Sequence, residues 1–231
     1  MVMGFESLAG GGNIKKEDSD TKIKLKKEIL LQVSKALFEG KEPKELAKLI
    51  SLDPGLAFLL LKYINSAFFS LRKEIKSIEA ALAYLGYKNL RNYILTLLAS
   101  HLLESTENAK EKIEKAIKRA FLMKNFCLYL SPEHSDEAYL VGLFSVLAEE
   151  LPKDELINTL RQAMVSEYVI SGLRDENSML GKLLSIIKEF EDYGISYINK
   201  LVEKLNLDKN TVIQALQKSE QEASELLKLI P

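Results

Sequence analysis

Hydrophobic side chains recur at helical spacing along most of the chain. The first run places Leu25, Ile29, Val33 and Leu37 four residues apart. This spacing puts the four side chains on one face of an α-helix, and glycine is favoured just beyond a helix end. The pattern therefore predicts an amphipathic first helix, beginning after residue 22 and ending near Gly40.

Prolines, aspartates and serines mark the starts of further helices. Proline is well tolerated at the first helical position, and Asp or Ser side chains accept hydrogen bonds from the free N–H groups there. Together with the apolar periodicity, these signals predict helices over 43–51, 54–66, 77–86, 90–102, 107–130, 135–150, 154–164, 166–173, 178–193, 195–206 and 208–229. No alternating β-branched run is long enough to build a sheet, so we predict an all-α fold.

The first 21 residues lack this periodicity. The glycines at 10–12 stand in a polar stretch, which is typical of a flexible tail or linker. A phosphate-binding loop would need a Gly-Lys-Ser/Thr ending before a helix, and the glycines run instead into Asn13 and Ile14. We therefore predict a tail or linker over 1–21 and a single helical domain over 22–231, with subregions over 22–105 and 106–231.

Composition and charge narrow the class of protein. The chain has 32 Lys and Arg against 33 Asp and Glu, so no net field favours nucleic acid or an acidic membrane. The apolar run over 56–61 is far shorter than the ~20 residues of a membrane span. The single cysteine, Cys127, lies in an apolar run and predicts a buried thiol in a reducing compartment. We expect a cytoplasmic protein that makes no contact with a membrane.

Residue types that carry catalysis or bind metals are sparse. The two histidines, His101 and His134, lie far apart in the chain. Zinc and iron sites need clustered His, Cys, Asp and Glu at fixed spacings, and nucleophilic sites need a base beside a Ser or Cys. The sequence offers neither arrangement, so we expect no catalytic residue, no bound metal and no cofactor.

Four short motifs give the chain a family resemblance. They read ELAKLISLDP at 45–54, LKYINSAFF at 61–69, IKSIEAA at 75–81 and LGYKNLR at 85–91. In content and spacing these motifs resemble the HD-related output domain, HDOD. The residues that match the family motifs are Asp53, Pro54, Asn65, Ser66, Ser77 and Gly86. The resemblance implies a compact, multi-helix HDOD-like bundle with a helical extension at its C-terminus.

A fifth segment points to a lost metal site. In the related HD phosphohydrolases, an adjacent His-Asp pair lies in a helix that reads roughly Gly-Leu-Leu-His-Asp. This chain has GLFSV at 142–146, so Ser145 and Val146 replace the two ligands, and an earlier ligand histidine falls near Arg119. A hydroxyl, an isopropyl group and a guanidinium cannot hold a divalent cation. The resemblance therefore implies that catalysis has been lost.

The sequence from residue 136 onward resembles the C-terminal half of proteins that join a cyclic-di-GMP phosphodiesterase-type EAL domain to an HDOD. No EAL motif occurs in the chain. This likeness implies bacterial signal transduction linked to cyclic-di-GMP proteins, with a covalently joined EAL domain in a longer parent as one candidate partner.

A pair of aromatic residues marks a candidate contact surface. Phe68 and Phe69 follow the predicted end of the helix over 54–66, and Arg72 and Lys73 come next. Aromatic and arginine side chains are common anchors of protein interfaces. These four residues form the predicted partner surface of a non-catalytic signalling module, whereas Asn65 is expected to hydrogen-bond the backbone of the following loop.

Two other functions compete with this interpretation. The helices over 43–51 and 54–66 have the lengths of a helix-turn-helix, the DNA-binding motif of many transcriptional regulators. A mildly basic stretch follows them, containing Arg72, Lys73, Lys76, Lys88 and Arg91. The second helix is nearly continuous in apolar residues, whereas a recognition helix must present polar side chains to DNA bases, so nucleic-acid binding is disfavoured. A residual HD-type metal-dependent phosphohydrolase that uses other ligands is the third hypothesis.

Overall fold

The prediction of an all-α fold is confirmed. The computed structural model describes residues 23–66, 69, 71 and 73–231, and in these ranges it contains helices but no strand. The helices are α1 Lys27–Phe38, α2 Pro43–Ser51, α3 Pro54–Ile64, α4 Ile78–Leu103, α5 Ala109–Leu130, α6 Ser135–Glu150, α7 Lys153–Gln162, α8 Glu167–Arg174, α9 Met179–Tyr193, α10 Ile198–Leu205 and α11 Lys209–Leu227. Short 3-10 turns precede α6 and α10.

Two helix starts differ from the prediction, and each difference has a structural reason. Helix α1 begins only at Lys27, because Lys26 is extended and donates its backbone N–H to the Asp53 carboxylate at 3.0 Å. The predicted helix over 195–206 opens with a 3-10 turn over Gly194–Tyr197 before α10 begins. Gly194 has φ +60°, a backbone conformation that ends α9 and that glycine adopts readily.

Gly86 interrupts α4 as the sequence indicates. The two predicted helices over 77–86 and 90–102 join into one element, within which Gly86 has φ 71° and ψ 165°. A residue with a Cβ would be strained there, whereas glycine is not. The kink lets the segments before and after Gly86 take different directions.

One continuous apolar core joins the N-terminal and C-terminal helices. Helices α1, α2 and α3 pack against α4, which in turn contacts α5 and α6. The buried cluster extends along the chain from Leu25 to Leu229. A buried hydrogen bond of 2.8 Å between Thr96 and Tyr139 also links α4 to α6. The subregions 22–105 and 106–231 therefore share a core, and the boundary between them stays a sequence prediction.

The helical tail is anchored along α5. The buried amide of Asn125 donates to Ser219 Oγ at 3.1 Å and to Glu222 at 2.8 Å. The Ser219 hydroxyl reaches back to the carbonyl of Phe121 at 3.1 Å. Because these polar groups are buried and paired across the two helices, α11 is an integral layer of the bundle.

The state of Cys127 and the lengths of the apolar helices bear on the predictions of a buried thiol and of no membrane span. Cys127 is buried and its thiol lies 3.3 Å from the Ser131 carbonyl oxygen. Burial, with smaller contributions from Glu133 and Glu137, raises the pKa of Cys127 to about 11, so the thiol stays protonated at neutral pH. None of the helices in the described ranges is long and apolar enough to cross a bilayer.

Candidate functional site

A very close contact between α5 and α6 positions the residues predicted to replace the metal ligands. A Cβ placed on Gly142 would lie 2.7 Å from the Arg119 carbonyl oxygen and 2.8 Å from the Ala120 Cα. Only a glycine allows this approach of the two backbones. Ser145, almost one turn further along α6, consequently faces the side chain of Arg119.

Arg119 is the centre of a buried hydrogen-bond network. Its side chain is almost fully enclosed, with 1% of the residue exposed. Its Nη1 donates to Ser145 Oγ and to Glu149 Oε1, both at 2.9 Å, and its Nε donates to the Glu191 carboxylate at 3.0 Å. The Ser145 hydroxyl donates in turn to the Gly142 carbonyl at 2.7 Å. The network, which we call the Arg119 network, joins α5, α6 and α9.

The charges in the network hold one another ionised. Burial alone would raise the pKa of Glu149, but the hydrogen bonds and charges of Lys188 and Arg119 outweigh it and lower this pKa to about 2. Lys188 lies 2.8 Å from the Glu149 carboxylate. Burial alone would lower the pKa of Arg119, yet the Glu191 and Glu149 carboxylates raise it. The site therefore holds a guanidinium cation between two carboxylates.

The structure brings two of the three sequence-predicted positions, Arg119 and Ser145, into contact. Arg119 and Ser145 are hydrogen-bonded, and Val146, the next residue on α6, is buried with 1% of its surface exposed. Among the described residues no group of three or more His, Cys, Asp and Glu is arranged to hold a metal ion. Sequence reasoning did not find Glu149, Lys188 or Glu191. Glu149 follows Ser145 by one helical turn, but nothing in the sequence links residue 191 to residue 119.

The residues that match the family motifs serve as structural anchors. Asp53 is buried, and its carboxylate accepts hydrogen bonds from the backbone of Gly55 and Leu56 at the start of α3 as well as from Lys26. Pro54 follows as the first residue of α3. Ser77 caps α4 by accepting from Ala80 N at 3.1 Å. These contacts fix the starts of α3 and α4 and engage both oxygens of the Asp53 carboxylate.

Asn65 clamps the loop between α3 and α4. Its Oδ1 accepts from Ile75 N at 2.7 Å, and its Nδ2 donates to Ile75 O at 2.7 Å and to Leu61 O at 2.9 Å. Ser66 donates its hydroxyl to the Tyr63 carbonyl at 2.7 Å. The expectation that Asn65 ties down the following loop is confirmed.

The predicted partner surface is described only in part. Phe68 and Arg72 lie outside the described residues. Phe69 is half-buried, with its ring edge-on to Tyr63 at a centroid distance of 4.9 Å and to Tyr84 at 6.1 Å. Tyr84 is 52% exposed, and Lys73 is exposed as well. The contact role of these residues stays a prediction, and we call Phe69, Lys73 and Tyr84 the Phe69 surface.

Two residues of the basic stretch that raised a DNA-binding function, Lys88 and Arg91, are engaged within the fold. Lys88 forms an ion pair with Asp136, and its hydrogen bond to that carboxylate raises its pKa. Arg91 donates to the Met164 carbonyl and lies over the Phe38 ring at 5.1 Å. The apolar residues of α3 are largely buried, as expected for a core helix. A recognition helix would need free polar side chains instead.

An apolar groove opens beside the Arg119 network. It lies between α5, α9 and α11, encloses about 870 Å³, and includes Glu191 in its wall. Its apolar lining residues are Leu122, Phe190, Ile195 and Leu216. Ile195, on the 3-10 turn before α10, is 83% exposed. Sequence analysis predicted no role for this region, because the groove forms only where three distant segments meet; we call it the α5–α9–α11 groove.

Comparisons with known proteins agree with this architecture. The family model of the HDOD domain matches residues 28–182. Cyclic di-GMP phosphodiesterase CdgJ of Vibrio cholerae is 27% identical over 188 residues, which cover 79% of this chain and 42% of that protein. The uncharacterized protein YuxH of Bacillus subtilis is 24% identical over 180 residues, covering 78% of this chain and 43% of YuxH.

A third relative matches a smaller part of this chain. An uncharacterized protein of Treponema pallidum is 30% identical over 110 residues, covering 46% of this chain and 21% of that protein. The chain thus spans less than half the length of each of these relatives, and no solved structure matches it. Since the family model covers well over half of the sequence, the chain belongs to the HDOD domain family.

Proposed function

We propose that this chain is a non-catalytic signalling module of the cytoplasm that binds a protein partner in a cyclic-di-GMP-linked pathway. The observation that carries the proposal is the Arg119 network. At the positions that correspond to metal ligands in the HD phosphohydrolases, the chain has a buried guanidinium, a hydroxyl and an isopropyl group. A divalent cation would be repelled by the guanidinium and would find no ligand in Val146.

The link to cyclic-di-GMP is an inference from one relative. CdgJ is named a cyclic di-GMP phosphodiesterase, and this chain matches less than half of it. We assign the hydrolysis to the unmatched part of that protein and regulation to the matched part. The partner of our chain would then be a cyclic-di-GMP enzyme, either joined covalently in a longer parent or encountered as a separate protein.

A hydrolysis assay tests the non-catalytic part of the proposal. The purified chain should release no linear dinucleotide from cyclic-di-GMP in the presence of magnesium or manganese. A parallel reaction with EDTA in place of the metal is the control. Metal-dependent turnover by the parent chain would establish the residual phosphohydrolase instead.

The Phe69 surface is the proposed contact region. Tyr84 and Lys73 are exposed, and the Phe69 ring between Tyr63 and Tyr84 leaves part of an aromatic patch open to solvent. Exposed aromatic side chains are common anchors of protein interfaces. Tyr84 and Lys73 are both exposed, so their truncation should cost the fold little.

Quantitative binding with matched variants tests this surface. The parent chain is used to capture an EAL-domain protein from the same cell, and the dissociation constant is then measured. Tyr84→Ala combined with Lys73→Ala should weaken binding by about 30-fold, which corresponds to ~2 kcal/mol, with an unchanged melting temperature. Tyr129→Ala, which changes another tyrosine of similar exposure at the end of α5, is the control. Equal affinity of both variants would place the contact elsewhere.

A further inference from the structure

The turn between α9 and α10 presents the two most exposed large apolar side chains of the described residues. Ile195 is 83% exposed and Tyr193 is 65% exposed. Exposed apolar side chains that lie together commonly mark a site of protein–protein contact. Because Ile195 also lines the α5–α9–α11 groove, the turn and the groove belong to one continuous surface.

This turn is held in place from inside the fold. The Tyr193 ring stacks on Tyr197 at a centroid distance of 5.8 Å, and Tyr197 is buried and donates its hydroxyl to the Glu189 carboxylate. The Ser196 hydroxyl donates to the Tyr193 carbonyl at 2.7 Å. The exposed side chains therefore project from an ordered support, which reduces the entropy lost when an interface buries them.

The groove beside the turn is supported in the same way. Its half-buried apolar residues come from all three helices: Leu122 from α5, Phe190 from α9 and Leu216 from α11. The bond from Arg119 to Glu191 fixes α9 on α5, and the bond from Ser219 to the Phe121 carbonyl fixes α11 on α5. The groove is thus a preformed cavity of about 870 Å³, large enough to receive the apolar side chains of a projecting turn.

We propose that this surface joins two copies of the chain in a two-fold symmetric dimer. Because the projecting turn and the groove lie side by side, a two-fold rotation places Ile195 of each copy against Leu122 and Leu216 of the other copy. A partner of another kind would have to fill the groove and also cover Ile195, whereas a second copy does both. The inference is independent of the proposed function.

The charges around this surface are complementary under the same rotation. Asp192 is exposed just before the turn, whereas α5 brings Lys115 and Lys118 to the groove with 49% and 37% of their side chains exposed. The rotation brings the Asp192 carboxylate of one copy toward these ammonium groups of the other. Glu114 and Glu220 at the rim both pair with Lys118 of their own chain, which reduces their repulsion of Asp192.

The size of the surface indicates a weak dimer. Twelve residues line the groove, which is fewer than the ~20–30 residues that each side of a standard interface contributes. Interfaces below the standard size are typically transient. We therefore expect a dissociation constant on the order of 10 µM.

Sedimentation equilibrium of the full-length chain tests the proposal. The parent chain should change from monomer to dimer between about 1 and 100 µM. Ile195→Asp places a charge in both grooves, and because the contact occurs twice the dissociation constant should rise about 100-fold. Ile195→Leu keeps an apolar side chain and should dimerise like the parent chain. Tyr129→Asp, which adds a charge at a position that is 48% exposed at the end of α5, is the matched control.

Cross-linking between two differently substituted chains then locates the interface. One chain carries Ser196→Cys on the turn, and the other carries Gln217→Cys in the wall of the groove, both at exposed positions. Cys127 is buried with a raised pKa, so each chain offers one reactive thiol and a bis-maleimide product must join two chains. This pair should cross-link at least ten-fold faster than Ser196→Cys with Lys48→Cys, whose cysteine lies on α2.

Three outcomes would overturn the proposal. The first is a parent chain that stays monomeric at about 1 mM, far above the expected dissociation constant. The second is a dimer that Ile195→Asp does not weaken, or equal cross-linking rates in the two cysteine pairs, because either places the contact on another surface. The third is association that continues beyond the dimer as the concentration rises, since a two-fold interface closes on itself.

Discussion

At the scale of single residues, Arg119 shows how a buried charge can be held by hydrogen bonds to neighbouring helices. Two helices, α6 and α9, contribute partners to its guanidinium, and the donors at Nη1 and Nε are within 3.0 Å of oxygen acceptors. Desolvation of such a cation is offset only when the hydrogen bonds are this complete. Because two of the partners are carboxylates, removing the arginine harms the fold more than removing any one of its neighbours.

The first prediction concerns this buried charge. Arg119→Met removes the cation and leaves Glu149 and Glu191 facing each other, so the free energy of unfolding should fall by about 3–5 kcal/mol. Urea denaturation followed by circular dichroism measures the change. Arg161→Met is the matched control, since the Arg161–Glu167 pair is exposed and exposed ion pairs contribute little to stability. Equal denaturation midpoints for the two variants would refute the role given to Arg119.

The second prediction follows from the low pKa of Glu149. This pKa is about 2 in the folded chain, whereas a glutamate in an unfolded chain titrates near ~4.3. The folded state thus binds the proton less readily, so the stabilisation is present above about pH 4.3 and is lost as the pH falls toward 2. In Glu149→Gln the free energy of unfolding should change less steeply between about pH 4.5 and 2. Glu155→Gln, at an exposed position on α7, should keep the steep dependence of the parent chain.

At the scale of helices, the predictable features are those whose causes are local. Pro43 and Pro54 open their helices and Ser77 caps α4, because the hydrogen bonds at a helix start come from the next few residues. The delayed start of α1 depends on Asp53, far along the chain from Lys26, and could not be predicted. The same holds for the site: the pairing of Arg119 with Glu191 and the groove beside it depend on how α9 and α11 dock on α5.

The third prediction tests the clamp that Asn65 places on the loop between α3 and α4. Asn65→Ala removes the paired hydrogen bonds to the backbone of Ile75. Opening of the loop should become easier by about 1 kcal/mol, which makes trypsin cleavage after Lys73 or Lys76 roughly five-fold faster. Asn89→Ala is the control, because the Asn89 amide donates to the Leu85 carbonyl within α4 and takes no part in the clamp on the loop. Unchanged cleavage in Asn65→Ala would show that other contacts hold the loop.

At the scale of the whole molecule, the helical layers depend on one another. Helix α4 belongs to both halves: its residues pack against α1, α2 and α3 on one side and against α5 and α6 on the other. The Thr96–Tyr139 hydrogen bond and the bond of 2.7 Å from Ser34 to the Ala163 carbonyl cross between the halves inside the core. A core shared in this way has no internal surface along which the halves could separate without exposing apolar side chains.

The last prediction follows from this shared core. Leu46 is fully buried on α2, and Leu46→Ala should cost about 2–5 kcal/mol because it leaves a cavity among the N-terminal helices. If the chain unfolds as one unit, native-state hydrogen exchange will show the same loss of protection in α5 and α6 as in α2, although Leu46 lies on neither α5 nor α6. Phe58→Ala, at a position on α3 that is 56% exposed, should leave protection unchanged throughout. A loss of protection confined to α1, α2 and α3 would instead mean that residues 22–105 and 106–231 unfold independently. Two halves that unfold together through a shared core must lose protection together.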